Sequence, residues 1–365
     1  MDTSPLFKSF SFKNLNLQNR IVMAPMTRSF SPNGVPGEDV ADYYARRAGA
    51  NVGLILTEGT TVDRGGASDD ANVPNFHDAK ALKGWETVCR GVHKAGGKIG
   101  PQIWHVGLAR RPGTGPNPEA VSDSPSGITA TGKTVLPEPS AEDVADMVAA
   151  FAKAAKSAKD IGFDMIELHG AHGYLIDQFF WDVMNRRDDQ YGGGLKERTH
   201  FATEIVKACR KAIGEDMPIC LRFSQWKQQD YKARLAPTPA ELETFTGLLA
   251  DAGVDIFHCS QRRFWEAEFE GSELNLAGWV KKLSGKATIS VGSVGLKGDF
   301  FASLAGHGSE TASLDGLIER MARDEFDLIA VGRVLLQDPL WAQKVKQGRF
   351  DELKAYEAEA LKTLY

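Results

Sequence analysis

The sequence predicts an α/β protein built as a single (β/α)8, or TIM, barrel spanning residues 1–365. Three observations predict it. Eight short runs rich in Ile, Val and Leu alternate with segments of helical period along the whole chain. These runs are near-continuously apolar, the pattern of strands covered on both faces. The first run leads into Met26-Thr27-Arg28, where a doubly wound sheet would normally carry a GxGxxG turn.

Taken in order, the first strand, 21–25, precedes a helix over 38–47, and the second, 52–58, precedes a helix over 78–95. After the third, 99–104, comes a long connection rich in Gly, Pro and Thr, 106–139. The helix beyond it opens with Ser140 and Asp143 in a capping-box pattern, and Val144, Met147, Val148, Phe151 and Ala155 are spaced for one face. The fourth strand, 165–169, is followed by a second long connection, 170–195, and a helix over 196–213. The fifth, 219–223, leads to Thr238-Pro239-Ala240-Glu241, which sets a cap, a proline at the first helical position and a glutamate at the third. Strands at 254–259, 287–292 and 328–332 pair with helices at 274–283, 313–323 and 339–346. The two long loops, after strands three and four, leave from the face where barrels build their active sites, and loops of that length tend to be functional. No low-complexity linker divides the chain, so one domain is expected.

Composition excludes several classes of function. Lys and Arg number 43 against 48 Asp and Glu, a net charge of −5, and no basic run exceeds two residues, which argues against nucleic-acid binding. No apolar stretch is long enough to span a bilayer, and the first residues lack the apolar segment of a signal peptide. Cys89, Cys209, Cys220 and Cys259 form no CxxC pair, so neither a zinc knuckle nor an iron–sulfur cluster is indicated. Buried free thiols fit a reducing compartment, and a cytoplasmic enzyme acting on a small molecule is the expectation.

On a barrel the informative residues stand at the C-terminal ends of the strands. Thr27 follows the first strand, Glu58 and Gly59 the second, and Gln102 and Trp104 the third. His169, His172 and Tyr174 follow the fourth, and Arg222 and Ser224 end the fifth. Gly292-Ser293 and Gly332-Arg333 end the seventh and eighth, where barrels recurrently bind phosphate through backbone N–H groups. A Gly-Arg pair can also simply end a strand; two glycine turns at those two strands point to the phosphate. Gln102 offers a donor beside an acceptor, which suits an imide edge such as that of a flavin. Arg222 sets a permanent cation at the barrel mouth, able to stabilise negative charge on a reduced flavin; either residue could instead be a structural polar group. His169 and His172 admit three readings: a pair of donors polarising one oxygen, a metal pair with Glu167 as the nearest third ligand, or structural histidines. Tyr174 adds a phenolic proton for general acid catalysis. His105 reads as a packing residue, and Gln190-Tyr191-Gly192-Gly193-Gly194 as a structural turn.

Several of these stretches resemble, over essentially the whole chain, the Old Yellow Enzyme family of FMN-dependent ene-reductases. They are residues 19–28 (NRIVMAPMTR), 57–60 (TEGT), 102–105 (QIWH), 169–175 (HGAHGYL), 185–193 (NRRDDQYGG) and 331–333 (VGR). The resemblance implies a non-covalent FMN reduced by NAD(P)H, with hydride passing from flavin N5 to the β-carbon of an unsaturated carbonyl or nitro compound. It also implies that Ala24, Pro25, Met26 and Thr27 line the flavin, the Thr27 hydroxyl bonding its O4 side. Gly59 and Gln102 would meet its pyrimidine edge and Arg222 its N1/O2 region. Gly292, Ser293, Gly332 and Arg333 would hold the phosphate. His169 and His172 would grip the substrate oxygen, Tyr174 would donate the proton, Trp104 would shape the pocket, and no metal would be needed. Quinones and nitro compounds are alternative acceptors. Dienoyl-CoA reductases and amine dehydrogenases share the HGAHGYL type of motif, but they carry extra domains and an iron–sulfur cysteine cluster for which this chain has neither length nor cysteines. The tail 348–365 departs from the glycine- and aromatic-containing tail of many relatives, and no site contact is assigned to it. The loop 260–265 (SQRRFW), basic and aromatic, reads equally as a contact for the nicotinamide nucleotide or an acidic substrate and as a solvated turn.

Overall fold

Alternation along each strand sorts the apolar side chains between an interior and a helix-covered exterior. The computed structural model describes residues 1–298 and 306–365. An antiparallel hairpin of β1 (Phe10–Phe12) and β2 (Leu15–Leu17) comes first. It is followed by β3 (Ile21–Met23), β4 (Leu54–Thr61), β5 (Lys98–Trp104) and β6 (Ile166–His172). The remaining strands are β7 (Ile219–Lys227), β8 (Ile256–Ser260), β9 (Ala287–Val291) and β10 (Leu328–Val331). Strands β3 to β10 close into a parallel barrel in sequential order, β10 pairing back onto β3.

Val22, Leu54, Leu56, Met165, Cys220, Ile256, Ile289 and Leu328 pack together inside the barrel, and Leu15 and Leu17 of the hairpin join them to seal the lower end. The alternate residues, among them Ile21, Ile55, Ile99 and Leu168, face the helices and their aromatic side chains Trp85, Phe151, Phe201 and Phe245. Burying each such side chain contributes roughly 1.5–3 kcal/mol.

Both expected capping boxes form. Ser140 caps Ala141–Ile161 with Asp143, and Thr238 caps Pro239–Ala252 with Glu241. The predicted barrel and its eight strands are all present, with boundaries shifted by a few residues. The hairpin is additional to the expected strands, its three-residue strands being too short to show a period. Within the connection 170–195 lies the six-residue helix Leu175–Phe180, buried all round and so without an amphipathic stripe in the sequence. Strands β4, β6 and β7 run beyond their expected ends, and the register shifts where β4 carries an extra residue between Leu56 and Gly59 and where β7 carries extra residues opposite Gly170 to His172. Among the described residues no helix is long and apolar enough to cross a membrane.

Candidate active site

The strand ends converge on a cavity of about 360 Å3. Ala24, Pro25, Met26 and Thr27 reach it from the turn after β3, Gln102 and Trp104 from β5, and His169, His172 and Tyr174 from β6 and the turn beyond. Arg222 of β7 and the turn residues Gly292, Ser293, Gly332 and Arg333 complete the set read from the sequence. Gly59 is not on the wall. It stands behind Trp104, where a Cβ would fall 2.5 Å from the indole Cε3, so its lack of a side chain lets the ring lie against the strand.

The floor of the cavity is ionic. Glu167 is fully buried on β6; its Oε1 accepts from Gln102 Nε2 at 2.8 Å, and its Oε2 lies 2.7 Å from His258 Nδ1 on β8. Interactions with His258, Arg222 and Gln102 outweigh burial and hold the carboxyl below its usual range, so it is ionised. Arg222 makes only a long 3.5 Å contact, to Ser260 Oγ; its Nε is buried without a partner, and it joins no ion pair among the described residues. Glu167 is thus committed to the floor. Among the described residues no three His, Cys, Asp or Glu side chains converge as metal ligands would.

Above the floor four rings interlock. Trp104 stacks over His169 at 6.2 Å and 21°, Tyr174 meets both edge-on at 5.0 Å, and His169 meets His172 edge-on at 5.2 Å. Trp226 stacks on the far face of His172 at 4.7 Å. Burial and the Arg222 charge push His169 down to about 3 and His172 well below its usual value, so both imidazoles are neutral at neutral pH. A neutral imidazole donates once. His169 Nδ1 accepts from the Ala171 N–H at 3.4 Å, which places the proton on Nε2. His172 Nε2 lies 2.7 Å from Ser260 Oγ. That hydroxyl can donate to His172 Nε2 while its oxygen accepts from Arg222, an arrangement that leaves the imidazole proton on Nδ1. Burial raises the Tyr174 phenol above its usual value, and Gln228 Nε2 donates to its oxygen at 3.4 Å.

The turn that aims these groups is rigid. His172 adopts φ +66° and Gly173 φ +80°, where a Cβ would meet Gln229 Oε1 at 2.1 Å. Asp177 accepts the Gly173 N–H at 2.7 Å and pairs with Lys227, both side chains being essentially unexposed, while Gln178 Nε2 donates to the Gly173 carbonyl at 2.8 Å. His105 does more than pack: it bridges the Gly107 N–H and Asp123 Oδ2, and Asp123 holds Arg64, clamping the loop after β5. In the turn before Leu195–Ile213, Tyr191 donates to Glu204, and Gly192 packs against the Arg187 carbonyl.

At the opposite rim Gly292 has φ +145°, and the crossing segment Gln261–Arg263 leaves no room for a Cβ. Arg333 Nη2 reaches Ser293 Oγ at 3.1 Å and the Gly298 carbonyl at 2.8 Å. One cation and two glycine turns therefore share one corner of the cavity.

Ser260, Gln261 and Arg262 of the loop 260–265 also line the cavity, as do Trp226, Gln228, Tyr356 and Leu361, to which the sequence assigns no site role. Trp226 and Gln228 continue the alternation of Arg222 and Ser224 past the expected strand end, so that signal was present. The tail carried none. It reaches the site because Arg28, itself placed by backbone bonds to Glu58, donates to the carbonyls of Ala360, Leu361 and Thr363.

The sequence matches the NADH:flavin oxidoreductase / NADH oxidase family over residues 5–352. It is 34% identical to an NADH oxidase of Thermoanaerobacter brockii over 96% of this chain, which spans only 52% of that protein. It is 31% identical to an NADPH dehydrogenase of Clostridium acetobutylicum, over 96% of this chain and 98% of that protein. Among solved structures it is similar to morphinone reductase in complex with tetrahydroNAD, with a TM-score of 0.81 and 25% identity over 98% of this chain and 93% of that one.

Proposed function

This chain belongs to the NADH:flavin oxidoreductase / NADH oxidase family, whose relatives imply non-covalent FMN and NAD(P)H, and on that premise we propose that residues 1–365 act as one FMN-binding barrel that reduces the C=C bond of α,β-unsaturated carbonyl or nitro compounds. The residues present fit the cofactor. The observation that carries the reading is Arg222, a buried guanidinium with an unpartnered Nε opening on the same cavity as two neutral imidazoles and a phenol. Leaving a buried donor of this kind without a hydrogen-bond partner costs about 1–3 kcal/mol, and an electron-rich ring edge against the guanidinium would offset that cost.

Ala24, Pro25, Met26 and Thr27 would hold the ring system, Gln102 and Arg222 its polar edge, and Gly292, Ser293, Gly332 and Arg333 its phosphate. Gly59 would act by seating Trp104. Bound FMN supplies the chemistry of taking a hydride from NAD(P)H and delivering it to the β-carbon of the alkene. His169 Nε2–H and His172 Nδ1–H hold the carbonyl or nitro oxygen and draw charge toward it. Tyr174 keeps its proton at neutral pH and gives it to the α-carbon, which the imidazoles do not reach. Trp104 and Trp226 brace the imidazoles and exclude water.

Denaturing the purified protein tests the reading directly. Equimolar FMN in the supernatant is expected; FAD, or a colourless protein whose enone turnover is abolished by chelator and restored by zinc, would overturn it.

A further inference from the structure

A second chamber of about 580 Å3 adjoins the first and shares Trp104, Tyr174 and Gln228 with it. Val106, Leu108 and Ala109 of the loop after β5, together with Ala130 and Met184, give it an apolar side, and Thr129, Thr131, Gln228 and Gln229 a polar one. Trp104, Val106 and Val73 form a small buried cluster of their own, with Tyr174 packed on it, so the divide between the chambers is itself hydrophobic. The outer rim carries Asp69 and Arg111, opposite charges that leave no net preference for an ionic group.

We propose that this second chamber receives an uncharged alkyl arm borne on the α-carbon of the substrate. The inference rests on the roles assigned above to the histidine pair and Tyr174. With the oxygen between His169 and His172, the α-carbon is the atom that must approach the Tyr174 hydroxyl. Tyr174 stands on the divide, so a substituent on that carbon is the group nearest the second chamber. A substituent on the β-carbon lies one bond further from it. The site is therefore shaped for medium-chain 2-alkyl enones, with the ring or head group in the first chamber and the chain in the second. Each methylene moved from water onto the apolar wall strengthens binding, by about twofold per carbon in a chamber half open to solvent.

Phenol and its 2-alkyl derivatives report on this without turnover. The phenol oxygen takes the place of the substrate oxygen, and the ortho carbon takes that of the α-carbon. Calorimetric titration of the FMN-loaded protein with phenol and 2-methyl- to 2-hexylphenol should show affinity rising about twofold per carbon to butyl, roughly sixteenfold in all. Ala130→Phe, at a half-exposed loop position, narrows the chamber and should return the 2-butylphenol to phenol affinity ratio close to one; Leu108→Trp is the alternative if that protein does not fold. If phenol binds but the wild-type series is flat, or the variants keep the full gain, the inference is overturned while the histidine reading stands. If phenol itself does not bind, the oxygen-holding role of the histidines fails and the inference falls with it.

Discussion

Glu167 fixes which way Gln102 faces. Its carboxylate can only accept, so the amide atom 2.8 Å away must be the nitrogen, and Oε1 is left available to accept. Gln102 therefore presents an acceptor, suited to the N3–H of a flavin ring, and Glu167 acts as a positioning residue. Glu167→Gln frees the amide to turn and removes the anion that balances Arg222. FMN affinity should fall by roughly ten- to hundredfold, the range set by losing a hydrogen bond to a charged group. Fluorescence titration of the apoprotein would show it, and an unchanged dissociation constant would remove Glu167 from cofactor binding.

Neutral imidazoles make a second expectation. His169→Ala and His172→Ala should each weaken phenol binding and slow enone reduction by on the order of 10²–10³, the usual cost of one preorganised donor. Because His169 is depressed to about 3, the unfolded chain binds a proton below pH 6.5 that the folded one refuses. Stability must then fall as pH drops from 6.5 toward 3. Urea midpoints at pH 7 and pH 5 should differ less in His169→Gln than in the wild type; an equal difference would mean the imidazole is protonated in the folded protein.

Tyr174→Phe separates the two halves of the reaction. The ring and its contacts with Trp104 and His169 are kept, and only the proton is lost. Stopped-flow measurement should show oxidation of NAD(P)H nearly unchanged and reduction of an enone slower by roughly two orders of magnitude or more. Quinones, whose reduced form takes its proton on oxygen from water, should be affected far less. Equal slowing of both halves would exclude Tyr174 as the acid.

The Lys227–Asp177 pair yields a stability test. Lys227→Met leaves Asp177 buried and uncompensated beside the Gly173 N–H, at a cost of about 3–5 kcal/mol. Adding Asp177→Asn should recover much of that loss, since the amide oxygen can still accept from Gly173. Chemical denaturation of the single and double variants would measure it, and no recovery would mean that Lys227 acts through something other than its partner's charge.

The barrel was legible because eight apolar runs alternate with capped helices, and local rules of that kind survive folding. The residues at the strand ends were legible for the same reason: once the strands are placed, alternation and the C-terminal rim indicate which side chains meet. The floor was less so. Glu167 was visible as a polar residue in an apolar strand, but its partners His258 and Gln102 lie 91 and 65 residues away, and nothing local announces them. The tail was not legible at all. Leu361 reaches the cavity through a guanidinium bound to backbone carbonyls, and Tyr356 through backbone bonds exchanged with Ser309, which any side chains could have offered.

The hairpin at the foot of the barrel has a consequence for traffic. Leu15 and Leu17 stopper that end, and the Lys13–Asp255 pair fastens the stopper, so the interior is a vessel with its working end at the rim. On the reading proposed above, the nicotinamide donor and the alkene would both be held over the same two imidazoles and would have one berth between them. Each would then have to leave before the next arrives, and either one in large excess should crowd out its successor.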